Sequence, residues 1–147
     1  MTTIRQCIET DLLSCGVLLQ EVYAEPPHEE NWPESRATAY LQSFFHIDSD
    51  GALIASNDEG KIVGAVFGFS YPWHVGSIIF IQELFVAAQY RGKGIAGDLV
   101  RQLVKRKNGD SHVALIVREG SVAARFYEKL GLSKSTLYEL RSGKIRV

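Results

Sequence analysis

Residues 78–86 are apolar at every position except Gln82 and Glu83, as expected for a strand covered on both faces. The chain then reads Gln89-Tyr90-Arg91-Gly92-Lys93-Gly94-Ile95-Ala96-Gly97. From Ile95 onward Leu99 and Leu103 recur on one helical face beside Ala96, Val100 and Val104. A strand, a glycine-rich turn and a helix in that order present free backbone N–H groups to a phosphate. Glycine is needed because the backbone must approach such a ligand without a Cβ in the way. The helix start adds unpaired donors and the positive end of its dipole.

The 147 residues suffice for one domain with a real core. Sixteen basic and seventeen acidic residues leave a net charge of −1, so bulk electrostatics gives no case for nucleic acid or an anionic membrane. No apolar run reaches membrane-spanning length, and the N-terminus lacks a signal-peptide core, which points to the cytoplasm. Cys7 and Cys15 are too few for a disulfide framework, have no zinc-site spacing, and read as buried apolar side chains. No metal site is expected.

Residues 3–8 read as a first strand. Thr10 is placed to cap a helix over residues 11–24, with Leu12, Cys15, Leu19 and Val22 on one stripe, and Pro26-Pro27 stops it. The loop from Glu25 to Trp32 is acidic, aromatic and stiffened by proline. Pro33 suits the first turn of a second helix, whose Ala37, Tyr40, Leu41, Phe44 and Phe45 form an amphipathic face. Residues 51–56 and 61–71 make a hairpin across Asn57-Asp58-Glu59-Gly60. Gly64 and Gly68 in its second strand point to a bulge or a close backbone approach. Pro72-Trp73-His74 breaks the run before the fourth strand. Beyond the glycine turn and its helix, Lys105-Arg106-Lys107 complement the helix dipole and read as solvated. Asn108-Gly109-Asp110 turns the chain into a fifth strand over residues 112–117. Ser121 caps a last helix carrying Ala123, Phe126, Tyr127 and Leu130, which Gly131 closes at the C′ position. Residues 132–140 read as a sixth strand, with Ser142-Gly143 turning a short tail back. The whole is one mixed α/β domain spanning residues 1–147.

Gly92-Lys93-Gly94-Ile95-Ala96-Gly97 matches G-x-G-x-x-G, the dinucleotide fingerprint, and Glu119 lies 22 residues beyond Gly97, where a ribose-binding acid would stand. Two facts weigh against that ligand. Residues 87–91 intervene between strand and first glycine, and the fifty or so residues after Gly97 leave room for only two more strands. A P-loop is excluded, since no Gly-Lys-Ser/Thr is present.

Gln89-x-x-Gly92-x-Gly94 followed by Ile95-Ala96 resembles the pyrophosphate-binding motif of the GNAT superfamily of N-acetyltransferases. Gln82-Glu83-Leu84-Phe85-Val86 is similar to the family's fourth strand. The stretch from Ala123 through Tyr127-Glu128-Lys129-Leu130-Gly131-Leu132 is similar to its fourth helix. Order and spacing agree, and the resemblance runs over essentially the whole chain. It implies a GNAT-like fold of six to seven strands and four helices: one strand, two helices, three strands, a helix, a strand, a helix, then one or two strands.

The resemblance further implies transfer of the acetyl group of acetyl-CoA to an acceptor amine, with CoA as product. Backbone groups of Leu84 and Val86 would pair with the cofactor's pantetheine arm. The N–H groups of Gly92, Lys93, Gly94, Ile95, Ala96 and Gly97 would hold the pyrophosphate, with Arg91 and Lys93 adding charge. Gly97 replaces the serine of many relatives. Tyr127 takes the position of the proton donor to the leaving thiolate, against the alternative that it only packs. Glu83 is the candidate base, against the alternative that it is an edge-facing or hydrogen-bonded structural acid. Gln82 stands where some relatives carry the catalytic carboxylate, and by strand alternation it would face away from Glu83. Gly120 replaces a cofactor-contacting asparagine. Acceptor recognition falls to Glu29, Trp32, Tyr71, Trp73 and His74, with Glu25, Glu30 and Glu34 adding negative charge. The acceptor would be a small cationic amine or an exposed peptide amine, and the reading admits a homodimer. The competing class is a CoA-binding sensor without turnover, kept open by Gln82 and Gly120.

Overall fold

The computed structural model describes residues 1–108 and 112–146. Two compact units emerge, Met1–Ile116 and Val117–Val147. The turn expected at Asn108-Gly109-Asp110 lies, beyond Asn108, outside the described residues.

In the first unit a single mixed sheet has the order β1 (Thr3–Gln6), β2 (Ala52–Ser56), β3 (Ile62–Pro72), β4 (Ser77–Val86), β5 (His112–Leu115). The first three pairings are antiparallel, and β5 joins β4 in parallel. That parallel step needs a crossover, which α3 (Ile95–Arg106) supplies. One sheet face is covered by α1 (Leu12–Ala24) and α2 (Glu34–Ile47). Cys15, Leu19, Ala37 and Leu41, all fully buried, pack there with Ile54, Ala65 and Phe67. Burying each such leucine contributes roughly 1.5–3 kcal/mol. The opposite face belongs to α3, through fully buried Leu99 and Leu103. Both cysteines are buried free thiols in the α1–α2 core.

Several local expectations change. Thr10 does not cap α1; the chain enters the helix through a 3₁₀ turn at Glu9–Asp11, and Asp11 is the N-cap position. The Asp11 carboxylate accepts the Ile8 N–H at 2.9 Å and is gripped by both Arg5 terminal nitrogens, at 2.7 and 3.0 Å. Pro33 sits one residue before α2, its φ of −62° helical but its ψ of 143° extended. Lys107 is not solvated: its ammonium bonds both Asp48 oxygens, at 2.8 and 2.6 Å, with only 14 % of the side chain exposed. Asp48 in turn accepts the Ser70 N–H, so this ion pair ties the end of α3 to β3.

Gly68 marks both a bulge and a close approach. The β3–β4 register runs Phe67 opposite Glu83 and then Gly68 opposite Ile81, which leaves Gln82 as the extra residue of a β-bulge. A Cβ on Gly68 would stand 3.0 Å from both Leu103 Cδ2 and the Phe80 carbonyl oxygen.

The second unit contains α4 (Val122–Lys129). Ser121 caps it as expected, accepting the Ala124 N–H at 3.0 Å. At the other end the Leu132 N–H bonds the Tyr127 carbonyl and the Gly131 N–H bonds that of Glu128, a Schellman closure with Gly131 at φ 98°. The sixth strand expected over residues 132–140 is not formed, so the described residues hold five strands. Instead the Ser135 hydroxyl accepts the N–H groups of Leu137 and Tyr138, at 3.1 and 3.0 Å, bending a backbone that a strand would keep extended. Leu137 and Tyr138 are then 83 % and 76 % exposed.

Candidate functional site

β4 is ten residues long and β5 only four. Their pairing runs from Ile78 opposite His112 to Ile81 opposite Leu115. From Gln82 onward β4 has no strand on that side among the described residues. Its other side stays paired to β3 as far as Val86 opposite Gly64. The Ala87 N–H continues that ladder, donating to the Val63 carbonyl at 2.8 Å. Backbone groups alternate sides along an antiparallel strand, so Glu83 and Phe85 share the β3-facing set with Ala87. Leu84 and Val86 therefore turn their N–H and C=O groups to the open edge. These are the two residues expected to meet an extended ligand.

The glycine turn follows directly. After a short 3₁₀ turn at Ala88–Tyr90, Gly92 and Gly94 adopt φ of 76° and 84°, and Gly94 caps α3 without a side-chain bond. A Cβ at either glycine would meet nothing within 4 Å, so glycine is required there by the left-handed backbone and not by crowding. The N–H groups of Ile95, Ala96 and Gly97 lie in the first turn of α3, where no intrahelical acceptor exists. Lys93 is exposed beside them, its ammonium 5.1 Å from the centre of the Tyr90 ring. Arg91 points back along the chain: its Nε donates to the Val86 carbonyl at 3.0 Å, and its terminal nitrogens bond Glu25 at 3.2 and 3.5 Å. It thereby ties the end of α1 to the end of β4.

Glu83 lies under the two helices. Oε1 accepts the Tyr23 hydroxyl of α1 at 2.5 Å, and Oε2 accepts the Tyr40 hydroxyl of α2 at 2.7 Å. Burial pushes the Glu83 carboxyl above the ordinary carboxylate range; the two phenol hydrogen bonds pull against that, and the charge of Glu30 adds to it. Tyr40 is pushed up as well, first by burial and then by the Glu83 charge. Gln82 does not face away from Glu83. Its amide donates to the Tyr40 hydroxyl at 2.9 Å, because the bulge breaks strand alternation and turns two successive side chains toward one face.

The residues expected to bind an acceptor fall into two groups. The Trp32 ring is 5.0 Å from that of Tyr40, and its indole N–H donates to Glu30 at 2.7 Å, which brings both to the Glu83 cluster. Glu29 is exposed in the same loop. Tyr71, Trp73 and His74 lie at the far end of the β3–β4 hairpin, and a chain of ring contacts through Phe69 and Phe44 leads from them to Tyr40. Tyr127 belongs to the second unit, where it is 8 % exposed with its ring edge-on to Phe126. Sequence reasoning missed Tyr23 and Tyr40 as partners of Glu83. The available signal was the carboxylate itself, which cannot stay in an apolar strand without donors.

Residues 18–132 match the profile of the Acetyltransferase (GNAT) family. Among solved structures, a possible acetyltransferase from Clostridium difficile 630 superposes with a TM-score of 0.79 at 18 % identity, over 99 % of each chain. An aminoglycoside N-acetyltransferase in complex with CoA gives 0.72 at 18 % identity, covering 98 % of this chain and 95 % of that one. Glucosamine-6-phosphate N-acetyltransferase from Arabidopsis thaliana gives 0.69 at 18 % identity, over 98 % and 99 %. At such identities the likeness is one of fold.

Proposed function

The chain belongs to the GNAT family of acetyltransferases, and on that premise we propose that it acetylates a small cationic amine or an exposed peptide amine by direct attack on acetyl-CoA. Membership makes it an acyltransferase with acetyl-CoA as the donor. The residues present fit that donor. An edge of β4 free beyond Ile81 suits an extended pantetheine arm, which the backbone groups of Leu84 and Val86 would hold. The first-turn N–H groups of α3, entered through two left-handed glycines, suit the pyrophosphate, with Lys93 beside them.

When bound, acetyl-CoA supplies a thioester carbonyl as electrophile. An acceptor that arrives as an ammonium sheds one proton before its nitrogen can attack and a second as the C–N bond forms. Glu83 takes up the amine proton, directly or through a water, and its raised affinity for protons favours that role. Tyr127, on its family position, returns a proton to the sulfur as the C–S bond breaks. Glu30 and Glu83 favour a cationic acceptor, and Trp32 and Tyr40 offer ring faces to its apolar part. Two buried free thiols suit a reducing cytoplasm. No helix among the described residues is long and apolar enough to cross a membrane.

One observation carries this reading: β4 parts from β5 after Ile81, and a carboxylate stands two residues further on. Thiol release from acetyl-CoA, measured across polyamines, aminoglycosides, amino acids and peptides, tests it. Acetylation of at least one cationic amine, lost in Glu83→Gln, is the expected result. Tight CoA binding with no release for any of them would favour a sensor without turnover.

A further inference from the structure

We propose that Tyr23, Tyr40 and Gln82 are positioning residues, which together hold Glu83 as a fixed carboxylate beside the open edge of β4. The proposal rests on the reading of Glu83 as the base, and it assigns work to three side chains that never touch the reacting atoms.

Proton accounting carries the argument. A carboxylate only accepts, and a phenol has one proton to give. Tyr23 gives its proton to Oε1 and Tyr40 gives its proton to Oε2, so each carboxylate oxygen is fixed by a donor from a different helix. Gln82 decides where the Tyr40 proton goes. Its amide Nε2 donates into the Tyr40 oxygen at 2.9 Å, which occupies the oxygen's acceptor side and leaves the proton directed at Glu83. Gln82 reaches Tyr40 only because it is the extra residue of the bulge opposite Phe67 and Gly68. The irregularity in β4 thus turns Gln82 toward Tyr40, and Glu83 follows it on the edge left unpaired beyond Ile81.

The donors are matched to a chemical need. Glu83 is half-buried under α1 and α2, and burial pushes its carboxyl above the ordinary carboxylate range. The titratable groups that face it are Tyr23 on α1, Tyr40 on α2 and Glu30 in the loop between them. Glu30 works against ionisation and the two phenols favour it. The net effect is a carboxyl that holds its proton more firmly than an exposed one. The same two bonds fix its rotamer, so its free lone pairs stay aimed in one direction.

A merely structural role for these side chains would predict lost stability and nothing else. The positioning role predicts a change in Glu83 itself. In protein labelled with ¹³C at the glutamate carboxyl, the Glu83 resonance is assigned by its absence from Glu83→Gln, and its titration is followed in each variant. Tyr23→Phe and Tyr40→Phe should each raise the midpoint by about one pH unit, as expected for losing one hydrogen bond to a charged acceptor. Gln82→Leu should raise it by less. Tyr40→Phe combined with Gln82→Leu should shift it no further than Tyr40→Phe alone, because Gln82 acts through the hydroxyl that is then missing. Neither Phe variant changes the ring that packs, so folding is retained, and Gln82→Leu tests the same network from the strand side.

Unmoved midpoints in the folded variants would overturn the positioning role and leave the base reading standing. Additive shifts from Tyr40 and Gln82 would overturn the relay between them. Full thiol release by Glu83→Gln with an amine that wild type acetylates would overturn both the base reading and the proposal, since no base would remain to be positioned.

Discussion

The hydroxyl of Tyr40 lies 2.7 Å from Oε2 of Glu83, bringing the middle of α2 onto β4 across 43 residues of sequence. The contact joins a group on which the activity is proposed to depend to the packing of the helical layer. Since burial raises the proton affinity of Glu83 in the folded chain, the folded state holds that proton better than the unfolded one. Its contribution to stability is therefore greatest below the ordinary carboxylate pKa of 4.5 and is lost as pH rises through the folded value. Glu83→Gln should flatten this part of the profile while lowering kcat by roughly 10²–10⁴. Denaturant unfolding from pH 4 to 8, beside single-turnover rates, checks both. A stability loss that grows toward neutral pH in the variant would contradict the sign.

The glycine turn offers a controlled comparison. Gly94 and Gly60 have φ of 84° and 81°, and a Cβ at either would meet nothing within 4 Å. Alanine at either position should cost about 1–2 kcal/mol through the left-handed backbone alone. Only Gly94→Ala should also weaken CoA, read as a smaller thermal shift on adding it. Equal CoA shifts in the two variants would remove the turn from the binding site.

What the sequence made legible follows from how local each determinant is. The turn was readable because positive φ at Gly92 and Gly94 is a property of those residues themselves. The same holds for α4, whose Ser121 cap and Gly131 closure are both local. The face of Gln82 was not readable, because a bulge is a register relation between two strands, and alternation along one strand cannot reveal it. Tyr23 and Tyr40 were absorbed into the helical apolar pattern, since a half-buried phenol looks apolar until its hydroxyl partner is known. Residues 132–140 offered room for a last strand, but the local bonds to Ser135 prevail.

Arg5 and Asp11 are bonded through two nitrogens and two oxygens, at 2.7 and 3.0 Å. That grip holds the Asp11 carboxyl below the ordinary carboxylate range, with a further bond from the Ile8 N–H, against a smaller opposing effect of burial. A depressed carboxylate contributes stability above its unfolded pKa and loses it as pH falls through the folded value. Arg5 is 45 % exposed, so solvent screening limits the effect, and Arg5→Met should cost only about 1 kcal/mol at pH 7. The deficit should shrink below pH 4, as both proteins approach a protonated Asp11. Urea unfolding of the two at pH 7 and pH 3 decides it: an equal deficit at both would mean that lost packing of the Arg5 stem, and not charge, carries the effect.

Tyr127 can be probed without disturbing the helix that carries it. The bonds that close α4 use the Tyr127 carbonyl and the N–H groups of Gly131 and Leu132, none of which changes in Tyr127→Phe. The ring keeps its edge-on contact with Phe126, and only the hydroxyl is lost. If that hydroxyl returns the proton to sulfur, the leaving thiolate must depart unprotonated or wait for solvent. The rate of the chemical step should then fall by roughly 10²–10⁴ while KM for acetyl-CoA stays near its original value. Single-turnover thiol release keeps product dissociation from hiding the effect. An acetyl thioester whose thiolate is a better leaving group should narrow the gap between variant and wild type, since a more stable thiolate has less need of an acid. An unchanged rate in the variant would make Tyr127 a packing residue of its own unit.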